Sequence, residues 1–123
     1  MNSTDNSDPS ERMLSSSREI EMAVLGAMLL EPKTIGSLVV ARLTDKHFEH
    51  AAHQVLFCEI TAILRENGVL DLVTLTQRLE DKDLLDEVGG PAYLADLVCI
   101  VPTIAGIEEY VDKMADKGKH DSM

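Results

Sequence analysis

The chain has 123 residues, of which 45% are hydrophobic, 27% are charged and 3% are aromatic, and it contains no tryptophan. This length fits one domain. A core with so few aromatic residues has to be built from aliphatic side chains, which favours helices packed on helices over a β-sandwich. The formal net charge of −11 disfavours direct binding of nucleic acid, because such binding depends on lysine and arginine. Any role near DNA is therefore expected to act through a protein partner.

Both ends of the chain are polar. Residues 1–16 are rich in Ser, Asn and Asp and predict a disordered tail, and residues 116–123 predict a polar C-terminal tail. The acidic N-terminus lacks the basic start and apolar run of a signal peptide. The longest uncharged stretch, Leu97 to Ile107, is far shorter than the roughly 20 residues of a membrane span. We therefore expect a cytoplasmic protein that enters no membrane, with one helical domain at residues 17–115.

Apolar residues recur at helical spacing along this domain. They predict an all-α fold, a compact orthogonal bundle of about six short helices. Ser17 is the expected N-cap of the first helix, and Asp71 or Thr74 that of the fourth. The pair Gly89–Gly90 predicts a tight turn before the fifth helix. The predicted helices run approximately from Ser17 to Leu30, Lys33 to Leu43, His50 to Asn67, Leu72 or Thr74 to Lys82, Ala92 to Cys99, and Thr103 to Ala115.

Motifs of enzymes that bind phosphate or hydrolyse substrates do not occur in the sequence. The patterns GxxxxGK[ST], GxGxxG, GxSxG and HExxH are all missing, so we expect no catalytic residue, no cofactor and no ATP hydrolysis by this chain. The pair Gly89–Gly90 has no lysine or arginine beside it, so a turn between helices is favoured over a phosphate-binding turn. Cys58 and Cys99 lie in apolar runs without metal-site spacing, and we expect buried free thiols rather than a disulfide.

A group of histidines is the nearest approach to a metal site. His50 and His53 have the i, i+3 spacing at which helical histidines can share a metal ion, and His47 and Glu49 lie beside them. No further ligand with firm spacing is present, and His47 falls in a predicted loop. The sequence therefore favours structural roles for these residues, in loop anchoring and helix capping, over metal binding.

The stretch from Asp71 to Asp96 is strongly acidic, with seven acidic residues against the two bases Arg78 and Lys82. Paired carboxylates can serve acid–base catalysis or hold Mg²⁺. Because no phosphate motif or histidine lies nearby, a solvated acidic face is favoured, and a docking surface for a basic partner is the alternative. The third helix is likewise expected to turn its glutamates to solvent. The acidic residues of the stretch are Asp71, Glu80, Asp81, Asp83, Asp86, Glu87 and Asp96, and the two glutamates are Glu59 and Glu66.

Four segments form an ordered set of motifs. They are the acidic start and apolar run at residues 21–30, the aromatic-His-aromatic set Phe48, His53 and Phe57, the pattern G-x-x-D-x-VTL-x-x-x-L from Gly68 to Leu79, and the pattern L-x-x-VGG-x-x-YL-x-x-L from Leu85 to Leu97. Followed by Pro102, Ile107 and Tyr110, these segments resemble the N-terminal domain of DnaB-type replicative DNA helicases. The resemblance extends from about Ile20 to Met114 and is sharpest at VGG-x-x-YL.

The resemblance implies a domain that acts by protein contact, in the assembly of helicase dimers and rings and in the docking of primase. The family domain usually continues into a longer helix, a helical hairpin, a linker and a RecA-like ATPase domain, whereas this sequence stops shortly after Met114. Hairpin contacts and motor activity are therefore not carried over. Gly106 stands where the family commonly has Asn, which weakens the start of the last helix.

The last predicted helix carries a candidate surface for a partner or an oligomer. Without a hairpin behind them, Tyr110, Val111 and Met114 would remain partly exposed, and exposed apolar stripes tend to bind partners. The alternative is that these three side chains complete the core of the domain.

Three functions remain open from the sequence. The first is a non-catalytic interaction domain of the replication machinery, whose partners are a like domain, the replicative helicase or primase. The second is a standalone modulator of phage or plasmid type that binds a host helicase or primase. The third, a small helical DNA-binding regulator, is disfavoured because no short helix is basic. We expect neither a small-molecule substrate nor direct contact with nucleic acid.

Overall fold

The computed structural model describes residues 16–66, 68–100 and 106–121, with side chains as far as Asp116. Within these ranges lie six α-helices and no β-strand, which confirms the predicted all-α bundle. The helices are α1 (Ser17–Leu30), α2 (Ser37–Arg42), α3 (Ala51–Arg65), α4 (Leu72–Asp81), α5 (Gly90–Ile100) and α6 (Ile107–Asp121), with a π-helical turn at Pro32–Gly36 before α2 and a 3₁₀ turn at Asp45–His47 before α3. The predicted tail before Ser16 and the predicted cap at Thr103 lie outside the described residues.

Helix α1 is the centre of the bundle. Its N-cap is Ser16 rather than Ser17, because the Ser16 Oγ accepts a hydrogen bond of 3.1 Å from the N–H of Glu19. All residues from Ile20 to Leu29 are buried, and the helix packs against α3, α5 and α6. A helix that is surrounded on all sides needs apolar residues on all sides, and α1 has them along most of its length.

The chain turns sharply after α1. The predicted second helix from Lys33 to Leu43 is divided into the π-helical turn and α2. The turn lies close to the end of α3, since a Cβ added at Gly36 would lie 3.2 Å from a methyl group of Leu64. Among the described residues no single helix is long and apolar enough to cross a membrane. Ser17–Leu30 and Pro32–Arg42 meet that test together, but the two are bent by 119° at their junction.

Helix α6 closes the core and corrects the predicted partner surface. Tyr110, Val111 and Met114 are 3%, 0% and 5% exposed, so in this chain they complete the core and form no exposed stripe. The reason is the position of α6, which packs on α1, on the 3₁₀ turn and on α2. An ion pair between Arg42 and Asp112 joins α2 to α6. The helix also extends beyond the predicted end near Ala115.

Both cysteines are free thiols, as predicted, but the prediction that they are buried is wrong. Cys58 and Cys99 are exposed. Each stands in an apolar stretch of sequence, yet successive residues of a helix point in directions about 100° apart. Cys58 therefore lies on the outer side of α3 although its neighbour Phe57 is buried against Phe48, with ring centroids 4.9 Å apart.

Candidate functional site

Three polar side chains from three helices meet inside the bundle. His53 on α3 places its Nδ1 2.7 Å from the Oε1 of Glu21 on α1, and its Nε2 2.7 Å from the hydroxyl of Tyr93 on α5. Glu21 is 2% exposed and His53 is 1% exposed. Buried polar groups are costly unless they are hydrogen-bonded. This polar relay of Glu21, His53 and Tyr93 therefore favours one mutual arrangement of α1, α3 and α5.

The direction of the hydrogen bonds in the relay follows from the donors available. A Glu21 carboxylate can only accept, so Nδ1 of His53 donates to it, and Nε2 of a neutral ring accepts from Tyr93. Burial raises the pKa of Tyr93, and although Arg18 acts in the opposite direction, the net pKa lies above the ordinary value of 10.0. The phenol therefore stays protonated near neutral pH. The second oxygen of Glu21 accepts the backbone N–H of Glu49 at 2.6 Å.

The paired glycines before α5 pack against the tyrosine of the relay. A Cβ at Gly89 would lie 2.8 Å from the Cβ of Tyr93, and Gly89 has φ +108°, a conformation that other residues rarely adopt. Gly90 also has a positive φ of +82° but has open space around its Cα. The predicted turn is confirmed, and its first glycine, Gly89, packs directly against Tyr93. On the outer side, the Arg18 guanidinium lies 5.3 Å from the centroid of the Tyr93 ring.

The relay explains why the sequence motifs occur together. Glu21 belongs to the acidic start of α1, His53 to the aromatic-His-aromatic set, and Gly89 and Tyr93 to the VGG-x-x-YL pattern. Sequence spacing does not connect them, because the hydrogen-bonded partners of His53 are 32 and 40 residues away. One signal was available: the apolar spacing of α3 places His53 on the same side as Leu56, Phe57 and Ile60, where a polar side chain needs a buried partner.

The other histidines have separate positions. Nδ1 of His47 accepts the backbone N–H of Thr44 at 2.9 Å and caps the 3₁₀ turn, which confirms the predicted capping role. The ring of His50 makes an edge contact with the ring of His53, with centroids 5.2 Å apart. Within the described part of the chain, the His50 Nε2 is buried without a hydrogen-bond partner. Both ring nitrogens of His53 are engaged with Glu21 and Tyr93, so His53 has no free ring nitrogen to share with His50 or His47.

A different set of ligand-type atoms lies close together beside the relay. A carboxylate oxygen from each of Glu21 and Glu49 and a ring nitrogen of His50 are within 4.8 Å of one another. A metal ion could bridge that distance. However, both oxygens of Glu21 already have hydrogen bonds, and Glu49 accepts a hydrogen bond of 3.0 Å from the hydroxyl of Ser17. These hydrogen bonds favour a structural role for the two glutamates, whereas the Nε2 of His50 has no hydrogen-bond partner within the described residues.

A second polar cluster joins α3 to α4. Nε of Arg78 lies 2.7 Å from a Glu59 carboxylate oxygen, and Nζ of Lys82 lies 3.1 Å from the same oxygen. Glu59 is 8% exposed, so the prediction that it faces solvent is wrong, whereas Glu66 is exposed as predicted. Burial by itself raises the pKa of Glu59, but the hydrogen bonds from Arg78 and Lys82 outweigh that effect, and the net pKa is lowered.

The predicted acidic face is confirmed. All seven acidic residues from Asp71 to Asp96 are exposed. The two bases of this stretch, Arg78 and Lys82, are bound to Glu59 and therefore offset little of the surrounding negative charge. The exposed carboxylates favour a basic partner over a phosphate backbone.

The fold and the relay thus define a small all-helical domain with an acidic face. A family model for the DnaB-like helicase N-terminal domain matches residues 13–116. The chain belongs to this family.

Relatives of known structure or name agree with this assignment. The replicative DNA helicase DnaB of Geobacillus stearothermophilus is 39% identical over 110 residues, which cover 88% of this chain and 24% of that protein. The replicative DNA helicase DnaC of Bacillus subtilis is 38% identical over 99 residues, which cover 80% of this chain and 22% of that protein. The chain thus spans less than a quarter of the length of these relatives. The crystal structure of the N-terminal domain of DnaB helicase from Mycobacterium tuberculosis superimposes with a TM-score of 0.76 at 32% identity, over 89% of this chain and 75% of that one.

Proposed function

We propose that this chain is a non-catalytic protein-interaction domain of the DNA replication machinery, acting in the cytoplasm. It associates with like domains in the assembly of a replicative helicase ring, and it docks primase. The observation that carries this proposal is the polar relay. The motif residues Glu21, His53 and Tyr93, through which the sequence resembles the helicase domain, build the contacts that link its three central helices.

A bundle whose helices are joined by buried hydrogen bonds is suited to docking a partner. Because α1, α3 and α5 are joined by buried hydrogen bonds, the surface of the domain is arranged before a partner binds, and less ordering has to accompany association. The sequence has no phosphate-binding motif, so these residues are given no part in ATP hydrolysis. The exposed acidic face likewise disfavours contact between these residues and DNA, because carboxylates repel phosphate groups.

The proposal is tested with purified chain, purified primase and full-length replicative helicase from the same source. Light scattering at rising concentration should show self-association, and the chain should form a complex with primase, with helicase or with both. A chain that stays monomeric and binds neither protein would contradict the proposal. Binding to helicase without self-association would instead favour the standalone modulator.

The test is completed by one relay variant and one surface control. Tyr93→Phe removes the hydroxyl that bonds to His53 while it keeps the ring, and Ala95→Asp places a charge at an exposed position of the same helix. If the proposal holds, the folded Ala95→Asp variant binds as the parent does. Tyr93→Phe should bind in proportion to its folded fraction, because the relay supports the surface from inside the bundle, where Glu21 and His53 are buried and Tyr93 is partly buried.

A further inference from the structure

One ring nitrogen of His50 is buried and takes no part in the hydrogen bonding of the domain. Among the described residues, the Nε2 of His50 and the hydroxyl oxygen of Thr61 are the two buried side-chain atoms without a hydrogen-bond partner. His53, whose ring touches that of His50, cannot supply the partner, because both of its nitrogens are bonded to Glu21 and Tyr93. A buried nitrogen without a protein partner is typically paired with a water molecule or an ion.

Two carboxylates lie beside the His50 ring. Glu21 belongs to α1 and is 2% exposed, whereas Glu49 is exposed and directly precedes His50, the N-cap residue of α3. One oxygen from each carboxylate and one ring nitrogen of His50 lie within 4.8 Å of one another. Two carboxylates at such a short distance repel each other, and a cation between them would remove that repulsion.

The hydrogen bonds of the two glutamates are compatible with a bound cation. Each oxygen of an ionised carboxylate has two lone pairs. One oxygen of Glu21 accepts from His53 and the other accepts from the backbone N–H of Glu49, so a lone pair remains on each. The hydroxyl of Ser17 donates to Glu49. Carboxylates that bind metal ions are usually oriented by hydrogen bonds of this kind from a surrounding layer of residues.

We propose that Glu21, Glu49 and His50 bind a divalent transition-metal ion, and that Zn²⁺ is the best match. A set of one imidazole nitrogen and two carboxylate oxygens suits Zn²⁺, whereas Mg²⁺ and Ca²⁺ prefer ligands that are all oxygen. In a tetrahedral zinc site the ligand atoms lie about 3.4 Å apart. The exposed Glu49 side chain can move inward to reach that distance, and a water molecule would complete the coordination.

A metal ion at this site would join two parts of the fold. It would hold the segment before α3 against α1, and Glu21 would be shared between the ion and the polar relay. The ion would thus add a cross-link beside the relay and favour the folded state. This inference goes beyond the proposed function and does not depend on it, so each can fail without the other.

The test measures the binding of ZnCl₂ by isothermal titration calorimetry, with Mg²⁺ in excess to occupy weak acidic sites. All chains carry Cys58→Ser and Cys99→Ser, because exposed thiols also bind zinc. We expect one Zn²⁺ per chain. His50→Ala and Glu49→Gln should each weaken binding by at least about tenfold. His47→Gln is the matched control, since it removes a neighbouring histidine outside the cluster, and it should bind as the parent does.

Thermal melting provides the second measurement. The melting temperature of the parent should rise as ZnCl₂ is added and return to its original value with a chelator, whereas that of His50→Ala should not respond. Neither His50→Ala nor Glu49→Gln removes a side chain of the relay, and circular dichroism establishes that both are folded. The site is wrong if the parent takes up no zinc in the presence of Mg²⁺, or if the folded His50→Ala and Glu49→Gln variants bind zinc as the parent does. An equal loss in His47→Gln would likewise contradict it.

Discussion

Nδ1 of His53 lies 2.7 Å from Oε1 of Glu21, between two residues 32 positions apart that have almost no contact with solvent. When a buried acid and a buried histidine are hydrogen-bonded to each other, the removal of only one of them is costly in free energy of unfolding. Removal of one partner leaves the other group desolvated and unpaired. The stability of the bundle should therefore depend on the relay more than on any exposed ion pair.

His53→Ala should lower the free energy of unfolding by roughly 3–5 kcal/mol, because it leaves the Glu21 carboxylate and the Tyr93 hydroxyl without their partner. Urea unfolding followed by circular dichroism measures the change. Tyr93→Phe removes one hydrogen bond and should cost about 1–3 kcal/mol. Equal losses in the two variants, or a loss below that of an exposed substitution such as Ala95→Asp, would contradict the buried relay.

Gly89→Ala should destabilise the chain by more than about 1 kcal/mol, since alanine is strained at positive φ and its methyl group would lie 2.8 Å from the Cβ of Tyr93. Gly90→Ala is the matched control, because its φ is also positive while no atom lies within 4 Å of the added methyl group. Thermal melting of both variants should give the larger decrease for Gly89→Ala. The reverse order would show that the turn does not pack on the tyrosine.

Glu59 should make the stability of the domain sensitive to acid. Its pKa in the folded chain lies below the ordinary value of 4.5, despite the opposing effect of burial, because of hydrogen bonds from Arg78 and Lys82. A lowered folded pKa gives a stabilisation that is fully present above the unfolded pKa and is lost as the pH falls through the folded pKa. Glu59→Gln should therefore cost on the order of 1 kcal/mol near neutral pH and less in acid.

The measurement for Glu59 is urea unfolding of both chains at neutral pH and at several values below 4.5, the ordinary pKa. The difference in free energy of unfolding between parent and variant should shrink as the pH decreases. Asp71 also has a lowered pKa, but it is present in both chains and its effect cancels in the difference. If the difference in free energy of unfolding between parent and variant is constant with pH, Glu59 is not bound by Arg78 and Lys82.

Both cysteines should react with a thiol reagent in the folded chain, because both are exposed. Cys58 should react slowly near neutral pH and faster as the pH rises, since desolvation by burial, followed by the negative charges of Asp45 and Glu59, raises its pKa and the thiolate is the reactive form. Mass spectrometry of single-cysteine variants, Cys58→Ser and Cys99→Ser, follows each thiol separately. Protection of either thiol until the chain unfolds would contradict the exposed positions.

Single-stranded DNA should not bind this chain at physiological salt. The acidic residues between Asp71 and Asp96 are exposed, and the bases Arg78 and Lys82 are engaged with Glu59, so phosphates meet mainly like charge. Fluorescence anisotropy with a labelled oligonucleotide measures this directly. Sub-micromolar binding would overturn the argument from charge and would revive the DNA-binding regulator as a function.

Local patterns in the sequence were sufficient to predict the helices and their approximate ends. Apolar spacing, the cap at Asp71 and the pair Gly89–Gly90 depend on neighbours within a turn or two, and the structure confirms them. The division of residues 32–42 into a π-helical turn and α2 is not predicted by apolar spacing, and the turn lies close to the distant Leu64. Sequence periodicity alone does not contain that contact.

Two differences between prediction and structure, at Glu59 and at Tyr110, have a common cause. Whether Glu59 is buried depends on α4 lying against α3, and whether Tyr110 is buried depends on where α6 docks. Likewise, His53 was assigned a structural role without its partners, because Glu21 and Tyr93 come from other helices. Local spacing predicts which face of a helix a residue occupies, but the neighbour of that face is set by the tertiary fold.

The position of Tyr93 has an optical consequence. The chain has no tryptophan and two tyrosines, Tyr93 and Tyr110, so its intrinsic emission comes from one tyrosine whose hydroxyl is hydrogen-bonded to His53 and from one tyrosine of α6 that is buried in the core. A Tyr110→Phe variant would leave Tyr93 as the single fluorophore. Its quenching and its near-ultraviolet dichroism would then report, without any attached label, whether the hydrogen bond to His53 is intact when a partner binds.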